Sequence, residues 1–163
     1  MKKKIFYILL FFSGISFAQE SLAEVLKKHN KESIPYITVE NASKQQNAVI
    51  LDAREFSEYK TSHLQNALFV GYDNFNLKKT IKKLKSKQQP VIVYCSIGVR
   101  SEDIAEKLKK AGYTNIYNLY GGIFEWKNSD FPVYNPEGKE TDSIHTFDKA
   151  WSKWLKKGIK IYD

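Results

Sequence analysis

The chain has 163 residues, 42% of them hydrophobic, with 26 Lys+Arg against 18 Asp+Glu and a single cysteine. That length allows one compact domain, and the hydrophobic fraction is enough for a core, which excludes wholesale disorder. One cysteine excludes an intrachain disulfide framework and a cysteine-based structural zinc site, and His29, His63 and His145 are spaced too widely to suggest a metal cage.

Met1 is followed by Lys2, Lys3 and Lys4, an apolar run over 5–12, and the end Ser16-Phe17-Ala18. A charged start, a short apolar middle and a small-x-small end are the layout of a secretory signal peptide cleaved after Ala18. The run is shorter than the roughly 20 apolar residues of a spanning helix. Residues 1–18 are therefore expected to be an address, and the mature chain to be periplasmic or secreted from a bacterial cell. Membrane contact is expected only through an uncleaved leader or through the C-terminal tail. The lysines at 78, 79, 82, 83, 85 and 87 lie on the polar side of a helix without interleaved aromatics, so no nucleic-acid partner is expected.

Beyond the leader the pattern alternates. Ser21-Leu22-Ala23-Glu24 has the form of a capping box, and Leu22, Val25 and Leu26 continue it as a short helix within residues 19–34. Residues 36–39 read as a first strand. The run 48–51, ending at Asp52, reads as a strand buried on both faces. Residues 55–62 look helical, and 67–70 read as a third strand. Leu77, Ile81 and Leu84 give one apolar face to a lysine-rich helix. Pro90 opens a strand over 91–94 that ends at Cys95. Ile104, Ala105, Leu108 and Ala111 define the next helix, stopped by Gly112. A last strand over 116–119 leads through Gly121-Gly122 into a short helix containing Trp126. Strands separated by helices imply an α/β domain over 35–135, with a mainly parallel sheet and helices on both faces. Such sheets bind ligands beyond the C-terminal ends of their strands, where Asp52, Cys95 and Gly121-Gly122 all fall. After Pro132 the alternation stops. Trp151, Trp154 and Leu155 at i, i+3 and i+4 predict one amphipathic helix in a tail over 136–163, packed on the domain or turned to a partner or membrane surface.

The segment Cys95-Ser96-Ile97-Gly98-Val99-Arg100-Ser101 lies between a buried strand and a helix. A loop there can curl so that successive main-chain N–H groups point inward at the positive end of the helix. Helix N-termini and nearby cations favour a thiolate over a thiol. Glu102 and Asp103, in the first helical turn, act against it. Gly98 suits a curl that needs positive φ or a close approach. Arg100 suits bracing the loop or clamping an anion, and Ser101 can donate to the sulfur. A lone cysteine in an exported chain is a buried spectator, half of an intermolecular bond, or a working thiol; its surroundings here point to the last.

At these residues the chain resembles the rhodanese-like sulfurtransferase family. The resemblance is carried by Leu51-Asp52-Ala53-Arg54 with Glu55 and Tyr59, by His63-Leu64 to Ala67, by 91–101, and by Gly121-Gly122-Ile123 with Trp126. Four separated blocks in the right order make it specific, where Cys-x4-Arg alone would be weak. The resemblance implies a single domain with a five-stranded parallel sheet. It implies that Cys95 is the persulfide-forming nucleophile, that Ser96 to Arg100 form the active-site loop, and that Asp52 and Arg54 are an acidic-x-basic pair near the site. That pair suits either a structural ion pair or substrate contact. His63 suits a structural hydrogen bond, Tyr59 and Trp126 suit packing. Ser62 stands where the family often has Gly, and the loop is less basic than in many members that use thiosulfate.

The implied chemistry is a relay. The Cys95 thiolate takes the outer sulfur of thiosulfate or a persulfide, and a thiol or cyanide acceptor removes it. No metal or organic cofactor is called for, the partners are small molecules, and a monomer is expected. Cysteine phosphatases and arsenate reductases are rivals of similar architecture, but their loops read Cys-x5-Arg, one residue longer. A binding module that keeps the fold without turnover is the other alternative.

Overall fold

A computed structural model describes residues 20–162. The leader expected over 1–18 lies outside the described residues. In chain order the elements are α1 (Leu22–His29), β1 (Tyr36–Ile37), α2 (Val39–Ser43), β2 (Val49–Asp52), α3 (Phe56–Thr61), β3 (Leu68–Phe69), α4 (Leu77–Ile81), β4 (Val91–Tyr94), α5 (Arg100–Lys110), β5 (Ile116–Leu119) and α6 (Gly122–Asn128). The five strands form one parallel sheet in the order β1-β5-β4-β2-β3.

β4 is central, and its sequence explains why. Val91, Ile92, Val93 and Tyr94 are all buried, and strand alternation sends them to opposite faces. Ile92 and Tyr94 join a core with Val25 of α1, Val39 and Ala42 of α2, and Ile123, Phe124 and Trp126 of α6. Val91 and Val93 join a second core with Leu51 of β2 and Ile104, Ala105 and Leu108 of α5. Each such side chain contributes about 1.5–3 kcal/mol when fully buried. A strand apolar on both faces is stable only between two helical layers, so Cys95 is delivered to the C-terminal edge of a doubly covered sheet.

Three expectations need correction. The lysine-rich helix stops at Ile81, so Leu84 is buried from the turn region that follows and Lys83, Lys85 and Lys87 lie beyond the helix. The stretch read as a strand over 36–39 ends at Ile37, because the Thr38 hydroxyl caps the short helix α2 by accepting from the Asn41 N–H. The tail does not form an amphipathic helix. It adds β6 (Val133–Tyr134) paired antiparallel with β7 (Glu140–Thr141), and β8 (Ser143–His145) paired parallel with β9 (Ile159–Ile161), with one 3-10 turn at Trp151–Trp154. Leu155 leaves that turn in an extended conformation, with ψ 109°, which ends any helix there. Ile144 and Leu155 are buried in the first core, and Ser62 donates to the Ser143 carbonyl at 2.6 Å, so the tail is an integral layer of the domain. Among the described residues no helix is long and apolar enough to cross a membrane.

Candidate active site

Cys95 lies one residue past β4 and forms the floor of a cavity of about 140 Å³. The walls are Ser96, Ile97, Val99 and Arg100 from the loop, and Phe147 and Trp151 from the tail. The thiol is nearly enclosed, with 1% of Cys95 exposed, and it faces a space instead of packed hydrocarbon.

The loop's carbonyls are tied outward. The Ile123 N–H donates to the Cys95 carbonyl at 2.9 Å, and the Phe124 N–H to the Ser96 carbonyl at 3.1 Å, so the start of α6 holds two of them. The Gly98 carbonyl accepts from the side-chain amides of Asn30 at 2.9 Å and Asn118 at 2.8 Å. In a trans peptide the C=O and the following N–H point in opposite directions. The N–H groups of Ser96, Ile97 and Val99 are therefore turned inward, and among the described residues none of them makes a hydrogen bond. The Gly98 N–H donates directly to Cys95 Sγ at 3.1 Å. Gly98 has φ +112°, a region closed to side-chain-bearing residues, which is what lets the curl form.

Gly122 makes the outer tie possible. Its φ is +54°, and a Cβ built there would meet the Cys95 carbonyl oxygen at 2.3 Å and Ser96 backbone atoms at 2.7 Å. Only glycine admits this approach of α6 to the loop. α5 starts at Arg100 with no side-chain cap at Val99, so its positive end is open to the loop.

Ser101 sits behind the sulfur. Its hydroxyl is 3.5 Å from Cys95 Sγ and 2.7 Å from Asn118 Oδ1. A hydroxyl carries one proton, and the shorter contact is the stronger bond. Asn118 thus holds both Ser101 and Gly98 in place. The acidic residues of the first turn are engaged elsewhere. Glu102 accepts from the N–H groups of Lys31 and Ser33, and Asp103 from the Tyr72 hydroxyl.

Arg100 braces the loop through a partner that the sequence reading missed. Its guanidinium makes two 2.7 Å bonds to the Glu58 carboxylate and a 3.0 Å bond to Ser96 Oγ, which itself donates to Glu58 at 3.0 Å. Burial pushes the Glu58 carboxyl up, but the hydrogen bonds and charge of Arg100 outweigh it, and the carboxyl is held below its ordinary value. Burial opposes the charge on Arg100 too, yet Glu58 and the adjacent Cys95 raise its pKa further. The positive charge at the wall is thereby matched by a buried negative one.

Asp52 and Arg54 do not reach the cavity. Both are fully buried and paired to each other, with Arg54 Nη2 2.7 Å from Asp52 Oδ2. Arg54 Nη2 also donates to the Ser62 carbonyl at 2.6 Å, and the Tyr94 hydroxyl donates to Asp52. This pair is a structural tie between β2, β4 and the end of α3. His63 stacks on Tyr59 and contacts its carbonyl through Nδ1. Phe147 and Trp151 carried no sequence signal for the site, because only the folded tail brings them to it. Among the described residues no group of three or more His, Cys, Asp or Glu comes together as a metal site.

Comparison with known proteins agrees with this architecture. A family model described as Rhodanese-like domain matches residues 37–129. The thiosulfate sulfurtransferase GlpE of Coxiella burnetii is 32% identical over 84 residues, 52% of this chain and 76% of that protein. A tRNA uridine(34) hydroxylase of Hamiltonella defensa is 30% identical over 113 residues, 65% of this chain, and the match spans 32% of that protein. Among solved structures, a rhodanese-related protein from Thermoplasma volcanium superposes with TM-score 0.53 at 26% identity, covering 61% of this chain and 96% of that one. A thiosulfate sulfurtransferase from Pseudomonas aeruginosa superposes with TM-score 0.58 at 23% identity, covering 75% of this chain and 23% of that one.

Proposed function

The chain belongs to the rhodanese-like domain family, and on that premise we propose that it is a sulfurtransferase working through a persulfide on Cys95. The observation that carries the reading is the Gly98 N–H on Cys95 Sγ, inside a loop whose carbonyls are tied outward. Such a cradle stabilises negative charge on the sulfur and on a second sulfur attached to it. The Cys95 thiolate attacks the outer sulfur of the donor. The donor's own bond to that sulfur breaks, and its electron pair leaves with sulfite or with a thiolate. An acceptor thiolate or cyanide then attacks the terminal sulfur and restores the Cys95 thiolate.

A role in oxyanion transfer of the phosphatase kind fits less well. The guanidinium that such chemistry needs for a tetrahedral anion is bound in both directions by Glu58. The leader's composition supports a site of action outside the cytosol, and N-terminal sequencing of the exported protein tests this by finding Gln19 as its first residue.

Mass spectrometry after treatment with thiosulfate or an organic persulfide tests the main reading. Cys95 is expected to gain one sulfur atom that cyanide removes, and Cys95→Ser to gain none. No gain with either donor rejects the proposal.

A further inference from the structure

We propose that Phe147 and Trp151 make this site select sulfur carriers whose sulfur is attached to an aromatic or other apolar body over inorganic thiosulfate. The inference rests on the sulfur-transfer reading above and adds the substrate class. The cavity over Cys95 is walled by Ile97, Val99, Phe147 and Trp151, and its one cation, Arg100, is neutralised by Glu58. A thiosulfate dianion entering it loses hydration against apolar walls, and the Arg100 guanidinium and Ser96 hydroxyl that it meets there are already bonded to Glu58. A carrier with one charge on its terminal sulfur and an aromatic body divides better. The sulfur sits on the loop amides, and the ring sits against the tail. A cavity of about 140 Å³ is of the size that holds a single benzene ring.

The tail is built to hold this wall. Phe147 has φ +67°, a conformation that residues with side chains rarely adopt, yet the residue is 48% exposed. Burial therefore does not account for the strained position. Backbone strain maintained at a ligand site points to a positioned side chain. The Phe147 N–H donates to His145 Nδ1 at 3.1 Å, and its ring lies 5.0 Å from the Arg100 guanidinium carbon. Trp151 is fixed by its N–H to Asp148 Oδ1 at 3.0 Å and by an edge contact with His29. The neighbouring Thr146 N–H bonds the Ile161 carbonyl, which ties the wall to β9.

Benzenethiosulfonate and thiosulfate are the probes. In each, Cys95 thiolate attacks the outer sulfur and the sulfur–sulfur bond breaks. Benzenesulfinate leaves in the first case and sulfite in the second, each taking the bonding electron pair. The wild-type chain is expected to show the higher kcat/KM with benzenethiosulfonate. In Phe147→Gly and in Trp151→Ala the ratio of the two kcat/KM values is expected to fall about tenfold. Phe147→Gly guards against a folding artefact, because glycine suits φ +67° and its Tm is expected to stay level or rise. A ratio unchanged within about twofold in both folded variants overturns the inference while the persulfide still forms. If neither probe loads sulfur on Cys95 of the wild type, the sulfur-transfer reading itself fails and this inference falls with it.

Discussion

Glu58→Gln removes the charge that balances Arg100 while keeping the side chain's shape. Glu58 is 1% exposed and accepts two 2.7 Å bonds from Arg100, one from Ser96 Oγ and one from the Glu55 N–H at 2.9 Å. Breaking a buried ion pair from one side costs about 3–5 kcal/mol, because the remaining charge stays desolvated. The Arg100 side chain keeps 16% exposure, which places the cost near the lower end, at about 3 kcal/mol. For a domain of this size that is a fall in Tm of about 6–12 °C. The variant should also lose a pH dependence. A carboxyl held low in the folded chain contributes stability that is complete above its ordinary value of 4.5 and is lost as pH falls through the lower folded-state value. Thermal unfolding of both proteins from neutral pH down to about pH 3 measures this, and the gap between them should narrow on the acid side. A loss below about 1 kcal/mol at neutral pH, or a gap that stays constant into acid, refutes the account of Glu58 as the buried counter-charge.

Gly122→Ala forces a Cβ to 2.3 Å from the Cys95 carbonyl oxygen at positive φ, so the loop must move. Stability should fall by about 2 kcal/mol or more in urea unfolding, and sulfur loading of Cys95 should be lost in the protein that still folds. Asn118→Asp keeps an acceptor for Ser101 but removes the amide that holds the Gly98 carbonyl outward. Its kcat/KM should fall at least about tenfold, read with any donor that loads the wild type. Asp52→Ala leaves Arg54 buried without its counter-ion and should cost about 3–5 kcal/mol in urea unfolding. At a temperature where this variant remains folded, Cys95 should still take up sulfur, since neither residue lines the cavity. Loss of uptake in a folded Asp52→Ala whose Glu58–Arg100 pair is intact would assign the pair to the substrate, whereas loss together with that pair would be the effect of a displaced α3.

The parts of the fold that could be read in advance are those where local sequence meets one dominant requirement. β4 is a run of four apolar residues between Pro90 and Cys95, and no other element fits such a run between turn residues. The Ser21–Glu24 capping box is a purely local pair of hydrogen bonds, and it forms at the start of α1. α2 is harder to see, because it has five residues and shows only Val39 and Ala42 to the core. The tail misled for a physical reason. Trp151, Trp154 and Leu155 have helical spacing, but a period of three also fits a 3-10 turn, and the parallel pairing of β8 with β9 draws the chain away afterward. At the site, the cysteine loop announces itself through contiguous residues. Glu58 is 42 residues from Arg100, and Phe147 lies beyond the alternating pattern altogether. Contacts made only by tertiary structure leave no spacing to read.

The two buried charge pairs act in series. Arg54, held by Asp52, bonds the carbonyl of Ser62, the residue that ends α3. α3 in turn carries Glu58, whose capping box with Glu55 fixes the first turn of that helix. With both ends of a six-residue helix pinned, the Glu58 carboxylate has one place to be, and Arg100 and Ser96 are set from it. The acidic-x-basic pair near the second strand therefore serves the loop at a distance, through helix placement and not through contact with a substrate. The same logic explains why a guanidinium beside a reactive sulfur can be fully paired without being wasted. Its task is to keep the Ser96–Val99 curl closed, so that the charge facing the sulfur comes from fixed main-chain dipoles, which need no reorganisation as sulfur arrives and leaves.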